Sequence, residues 1–153
     1  MSSEYQTDQT FMRRALELAS DARKMDEVPV GALVVNDGAV IGEGHNRVIS
    51  DLDPSAHAEV VAIRDAASNV GNFRLANSVL YVTMEPCIMC AGAILQARIE
   101  KVVFAAWDIR FGAGGSRLNL LESQFLNHQC KVHSGVLEKE AKVLLQSFFS
   151  AKR

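Results

Sequence analysis

Two short segments, His57-Ala58-Glu59 and Pro86-Cys87-Ile88-Met89-Cys90, constrain this chain more than anything else in it. Cys87 and Cys90 stand three apart, a spacing that puts two side chains on one face of a helix. They follow a proline directly. Proline suits a first helical position, because the N–H it lacks would have no partner there. Thiolates suit zinc, which takes four ligands in a tetrahedron. Two sulfurs leave that shell incomplete, and His57 is the best upstream donor. One imidazole and two thiolates make three protein ligands and leave a position open for water. That open position separates a catalytic zinc from a structural one.

Each piece alone has a plainer explanation. A Cys-x-x-Cys pair also serves as a redox couple or as half of a structural zinc site. A thioredoxin-like couple needs its cysteines near a βαβ pattern and leaves His-x-Glu without a purpose. His57 and Glu59 are two apart and share no face within a helix. They converge only in a first turn, with the site beyond the helix end, and the turn Asp53-Pro54-Ser55 is consistent with that. Both donor segments are then expected at helix N-termini, where the partial positive charge favours thiolate over thiol. Zinc lowers the pKa of a bound water to about 7, which makes a nucleophile near neutral pH. Attack on a ring carbon that bears an amino group needs one proton delivered to the ring nitrogen and another to the departing ammonia. A single carboxylate that is not a ligand can carry both, and Glu59 is that group by position. Glu85 is the rival carboxylate, expected to be structural or cap-related.

The rest of the chain alternates strands and helices. Residues 1–7 read as a polar start, with Thr7 or Asp8 capping a helix striped by Phe11, Ala15, Leu18, Ala19 and Ala22. Strands are expected at 28–35 and 39–44, joined by Asn36-Asp37-Gly38 as a hairpin. The first is apolar enough to be buried on both faces of a sheet. A helix over about 56–68, capped by Ser55, follows. Then come a strand at 79–83, a helix over about 87–96, and a strand at 101–106. The helix at 87–96 is apolar nearly all round, which predicts burial on several sides, by its own sheet and by a second subunit. Trp107 to Gly115 mixes aromatic, charged and glycine residues and reads as a substrate loop, with stacking faces for unpaired bases. Leu118 to Leu126 read as turn packing, 129–134 as a short edge strand with Cys130 a small buried hydrophobe, and His128 and His133 as bystanders. The last helix covers about 137–151, with Val143, Leu144, Phe148 and Phe149 inward and Lys152-Arg153 as a basic tip for phosphate. The alternation predicts an α/β sheet covered by helices on both faces.

With 153 residues and 48% hydrophobic content, the chain is expected to be one domain, 1–153, with a sizeable core. The net charge of −2 advertises no general affinity for nucleic acid, so RNA contact would need a local patch. Three cysteines make no disulfide framework, and a reduced cytoplasmic compartment fits them best. No apolar run approaches the roughly 20 residues of a membrane helix.

Five segments carry a family resemblance: Val28-Pro29-Val30-Gly31-Ala32, Gly42-Glu43-Gly44-His45-Asn46-Arg47, Asp53 to Glu59, Leu80 to Ala93, and Arg98 to Phe104. Together they are similar to the bacterial tRNA-specific adenosine deaminases, within the zinc-dependent nucleobase deaminases. The resemblance implies an α/β fold, a three-layer α/β/α sandwich of cytidine-deaminase type with a central mixed sheet of about five strands. It implies a homodimer with one zinc per subunit, acting on a tRNA anticodon loop. The reaction implied is hydrolytic conversion of the wobble adenosine to inosine, with the base flipped out. By position, His57, Cys87 and Cys90 match the metal ligands and Glu59 the proton shuttle. Asn46 and Asp108 match nucleoside contacts, and Ala58 and Pro86 complete the expected substrate-binding set. His45 stands where a tryptophan is common, and Trp107 to Phe111 is unusually apolar for this loop. A zinc deaminase of free cytidine, dCMP or guanine shares the metal signature. A non-catalytic, zinc-stabilised RNA-binding module is a second alternative.

Overall fold

In the computed structural model, which describes residues 3–152, the apolar run after Pro29 becomes the strand on which everything else is stacked. Strand β1 (Gly31–Asn36) is buried along nearly its whole length. It turns back into β2 (Ala39–His45) through Asp37 and Gly38, at φ 51° and 77°, the left-handed pair that a tight two-residue hairpin needs. On its other edge β1 pairs antiparallel with β3 (Ser78–Met84). Strands β4 (Lys101–Ala106) and β5 (Lys131–Ser134) then add in parallel, which gives a mixed five-stranded sheet in the order β2-β1-β3-β4-β5.

Four helices cover it: α1 (Ser3–Lys24), α2 (Ala58–Val70), α3 (Ile88–Gln96) and α4 (Glu138–Ala151). Neighbouring strand residues point to opposite faces. A Cβ on Gly31 would strike the α1 backbone at Ala15. A Cβ on Gly44, the partner of Ala32, would lie 2.6 Å from Ala62 N in α2. Helices α1 and α2 therefore lie on opposite faces, each with its backbone close against the sheet. Helix α4 packs beside α1 and over β4, and α3 lies beside α2. This is the α/β/α layering expected from the alternation of elements. The hairpin, the buried first strand, the edge strand β5 and the buried Cys130 match expectation as well.

Several local expectations are corrected. Helix α1 already runs at Ser3, so residues 3–7 are not a loose start and Asp8 caps nothing; Met1 and Ser2 lie outside the described residues. Asp8 points into the sheet, where it accepts a hydrogen bond of 2.7 Å from the Tyr81 hydroxyl and sits 3.7 Å from Lys101 Nζ. A buried carboxylate so partnered is tolerated inside a helix. Helix α2 is capped by His57, not Ser55, whose hydroxyl is turned to Asp53. Helix α3 is capped by Cys87, so Pro86 precedes the cap and is not a first helical residue. In α4, Val143 and Phe149 are exposed and Phe148 is buried. The ammonium of Lys152 is engaged by Asp26 at 2.7 Å, and Arg153 lies outside the described residues.

Candidate active site

The ends of β2 and β3 and the starts of α2 and α3 meet at one place. His57 and Cys87 both occupy N-cap positions, where serine, threonine, aspartate or asparagine would normally satisfy the first N–H groups. Neither makes a side-chain capping bond. Their side chains instead extend past the helix ends toward each other. Cys87 Sγ lies 3.6 Å and Cys90 Sγ 3.4 Å from His57 Nδ1. Zinc bound tetrahedrally to sulfur and nitrogen at ordinary bond lengths sets those donors about 3.6 Å apart. The donor atoms all fall within 4.8 Å of one another, so the three side chains fit a zinc ion.

The electrostatics agree with that fit. The Cys90 thiol hydrogen-bonded to it, together with His57, holds the Cys87 thiol down at about 4 against the cost of burial. The same contact with Cys87, reinforced by burial, pushes Cys90 far above the usual thiol range. Two sulfurs this close do not both ionise unless a cation lies between them. His57 is raised, first by its hydrogen bond to Cys87. Glu59, 4% exposed in the first turn of α2, is pushed up to about 7, chiefly by burial.

A cavity of about 300 Å³ opens over this cluster. Asn46, His57, Ala58, Glu59, Cys87 and Asp108 all line it, so six of the residues singled out in the sequence share one wall. Cys90 is fully buried beneath it, and Pro86 stands buried behind Cys87, with its carbonyl accepting from Ala113 N at 2.8 Å. Asn46 Oδ1 is buried and has no hydrogen-bond partner among the described residues. An unpaired buried acceptor in a cavity wall is costly, and a ligand donor relieves it. The substrate-loop expectation brought Arg110 and Phe111, which also line the cavity. Val28, Val30, Met84, Glu85 and Phe149, none of them expected there, complete the lining. Phe149, expected inward, is exposed on α4 and lines the cavity beside the buried Phe148.

Glu85 is structural, as expected. It is 3% exposed, and its carboxylate is spent on backbone N–H groups of the loop after β4. It is not part of the His57, Cys87 and Cys90 cluster.

The family model described as the cytidine and deoxycytidylate deaminase zinc-binding region matches residues 5–106. The tRNA-specific adenosine deaminase of Haemophilus influenzae is 50% identical over 95% of this chain and 85% of its own length. The chain belongs to the tRNA-specific adenosine deaminase family. A solved structure from work on A-to-I editing by tRNA:A34 deaminases at the wobble position of transfer RNA agrees with this placement. It is 42% identical, superposes with a TM-score of 0.86, and covers 89% of this chain and 99% of that one. The guanine deaminase of Bacillus subtilis is 44% identical over 70% of this chain and 66% of its own, with a TM-score of 0.62. The same scaffold thus carries deaminases of different bases, and the choice of base resides in the cavity wall and the loops around it.

Proposed function

We propose that this deaminase converts adenosine to inosine by hydrolysis at the wobble position of a tRNA anticodon, with one zinc per subunit held by His57, Cys87 and Cys90. The observation that carries the reading is the three-donor cluster beside a buried, non-ligating carboxylate, in a chain 50% identical to a tRNA-specific adenosine deaminase along nearly its full length. Zinc, when bound, supplies an activated water as the nucleophile. Glu59 would take a proton from the attacking water and deliver it to N1 of the adenine ring. It would then carry the second proton to the exocyclic nitrogen, which leaves as ammonia, so that adenosine and water become inosine and ammonia. Asn46 and Asp108 hold the flipped nucleoside, with Ala58 in the wall against which it rests and Pro86 backing that wall from behind Cys87. Arg110 and Arg117 line the adjoining cleft and supply the local positive charge for phosphates that the net charge of −2 does not.

A second copy of the chain is the proposed cover for the exposed side of α3. Ile88, Met89, Phe125 and Leu126 are 60%, 37%, 88% and 41% exposed, an apolar group of the kind that marks a protein contact. Sedimentation is expected to give a homodimer, and a monomer at all accessible concentrations would remove that part. The cytoplasm is the proposed compartment, because the two sulfurs must stay reduced to hold a metal. No helix among the described residues is long and apolar enough to cross a membrane.

The test of the activity is incubation with an anticodon stem-loop carrying adenosine at the wobble position, with free adenosine, cytidine and guanine in parallel. Inosine is expected in the stem-loop. Ammonia released only from the free nucleosides or from guanine would transfer the chain to another deaminase class.

A further inference from the structure

We infer that Glu85 and Ser116 are positioning residues: together they pin the loop carrying Asp108, Arg110 and Phe111 in its substrate-ready shape before substrate arrives. The inference rests on the reading of Asp108 as a nucleoside contact. The loop after β4 has almost no regular structure of its own, and a segment of that kind ordinarily samples many conformations. Here it closes around one buried carboxylate. Glu85 Oε1 accepts from Asp108 N at 2.9 Å and from the Ser116 hydroxyl at 2.7 Å. Its Oε2 accepts from Gly114 N at 2.9 Å and Ser116 N at 3.0 Å. The Ser116 hydroxyl also reaches the carbonyl of Asp108 at 2.7 Å. Asp108 is thus held through its N–H by Glu85 and through its C=O by the Ser116 hydroxyl, whose one hydrogen is divided between that carbonyl and Glu85 Oε1.

The surrounding residues are those such a grip requires. A Cβ on Gly112 would overlap the Glu85 carboxylate, so the loop backbone lies directly on the charge. Gly112 also bridges to Cys87, and Ala113 N donates to Pro86 O at 2.8 Å, which ties the loop to the start of α3. Within the loop, Asp108 Oδ1 accepts from Arg110 N at 3.1 Å and Phe111 N at 3.2 Å. The position of Asp108 therefore sets that of the next two cavity residues. Each Glu85 oxygen faces two donors, and glutamine at this position would turn an amide NH2 either toward Gly114 N–H and Ser116 N–H, which can only donate, or toward Asp108 N–H and the Ser116 hydroxyl, of which the hydroxyl alone can accept.

Preorganisation of this kind acts on binding. If the loop has to be ordered by the substrate, part of the binding energy is used up in ordering it, and KM rises while kcat at saturation is kept. Ser116→Ala removes the shared hydroxyl but leaves the carboxylate its three N–H donors, so it is the milder variant. It is expected to raise KM for the stem-loop about tenfold, the scale of one hydrogen bond to a charged group. Glu85→Gln is expected to raise it further. Zinc content is expected to be unchanged in both, and kcat to stay within about threefold of the parent.

Trp107 gives a readout that needs no activity. It is the only tryptophan in the chain and opens the loop, with its ring set edge-on to Phe104 at 4.9 Å and packed over Gly115. The ring is already 40% exposed, and its emission is expected to shift further to the red in Ser116→Ala and Glu85→Gln as its contacts with Phe104 and Gly115 loosen. Unchanged emission with KM within twofold of the parent in Ser116→Ala would overturn the inference. So would kcat and zinc content falling together while KM holds, the pattern of a merely structural role. A parent protein inactive on the stem-loop would strike the reading of the activity instead, and the Trp107 shift would still report on the anchor.

Discussion

Glu59→Ala yields a folded, metal-loaded protein whose turnover on an anticodon stem-loop falls by about a thousandfold or more, the scale on which a positioned acid–base group contributes. The expectation follows from where the carboxylate stands. It shares the cavity with His57 and Cys87 but is not one of the three donors gathered within 4.8 Å, so its removal leaves the ligand set intact. Helix α2 does not depend on it either, because Ala58, Val60, Ala62 and Ala66 supply the buried stripe of that helix. A carboxylate buried to 4% exposure with a pKa pushed up to about 7 is a burden on the folded state, so the variant is expected to melt no lower than the parent. The measurement is inosine formed in a single turnover, alongside metal content by elemental analysis. Glu59→Gln, which keeps the shape and cannot exchange the proton, is expected to behave the same way. Turnover that survives either substitution would remove Glu59 from the chemistry and hand the proton transfers to another group in the cavity.

Much of this site is legible in the sequence because its demands are local. Two cysteines three apart after a proline, and a histidine two before a glutamate after a turn, can serve one ion only from the ends of two helices. The structure sets His57 and Cys87 at those ends. The sheet is legible for a similar reason, since alternating apolar strands and capped helices leave few ways to bury both faces. What the sequence hides is long-range. Nothing near Asp8 announces that Tyr81 and Lys101 will satisfy it, so it looks like a cap when it is an interior partner. Nothing near Glu85 announces Ser116, 31 positions on, although Gly112, Gly114 and Gly115 hint at a backbone pressed against something. Phe149 reads as core from helical spacing alone, and only the position of α4 turns it toward the cavity.

That division between local and long-range information also bears on stability, because the metal cluster is a long-range contact supplied by local motifs. His57 opens α2 and Cys87 opens α3, so a shared ion would fasten the starts of two neighbouring helices. Cys87→Ala leaves two protein donors, a set that holds zinc poorly. The variant is therefore expected to lose metal and activity together, whereas Glu59→Ala loses activity alone. Its melting temperature is expected to fall to that of the chelator-treated parent, since binding energy gained only by the folded state is lost in both. Thiol titration gives an independent count. In the metal-loaded parent no thiol is expected to react readily, and chelation is expected to free one per chain, Cys87, which is partly exposed and readily ionised, while Cys90 is fully buried with its thiol pushed far above the usual range. Cys130 stays silent, because it is 4% exposed, donates to Ile99 O at 3.1 Å, and has its thiol pushed up to about 11 by burial. Metal retained at full stoichiometry in Cys87→Ala, or chelation that releases no thiols, would mean the ion sits elsewhere, and the catalytic assignment built on these three donors would fall with it.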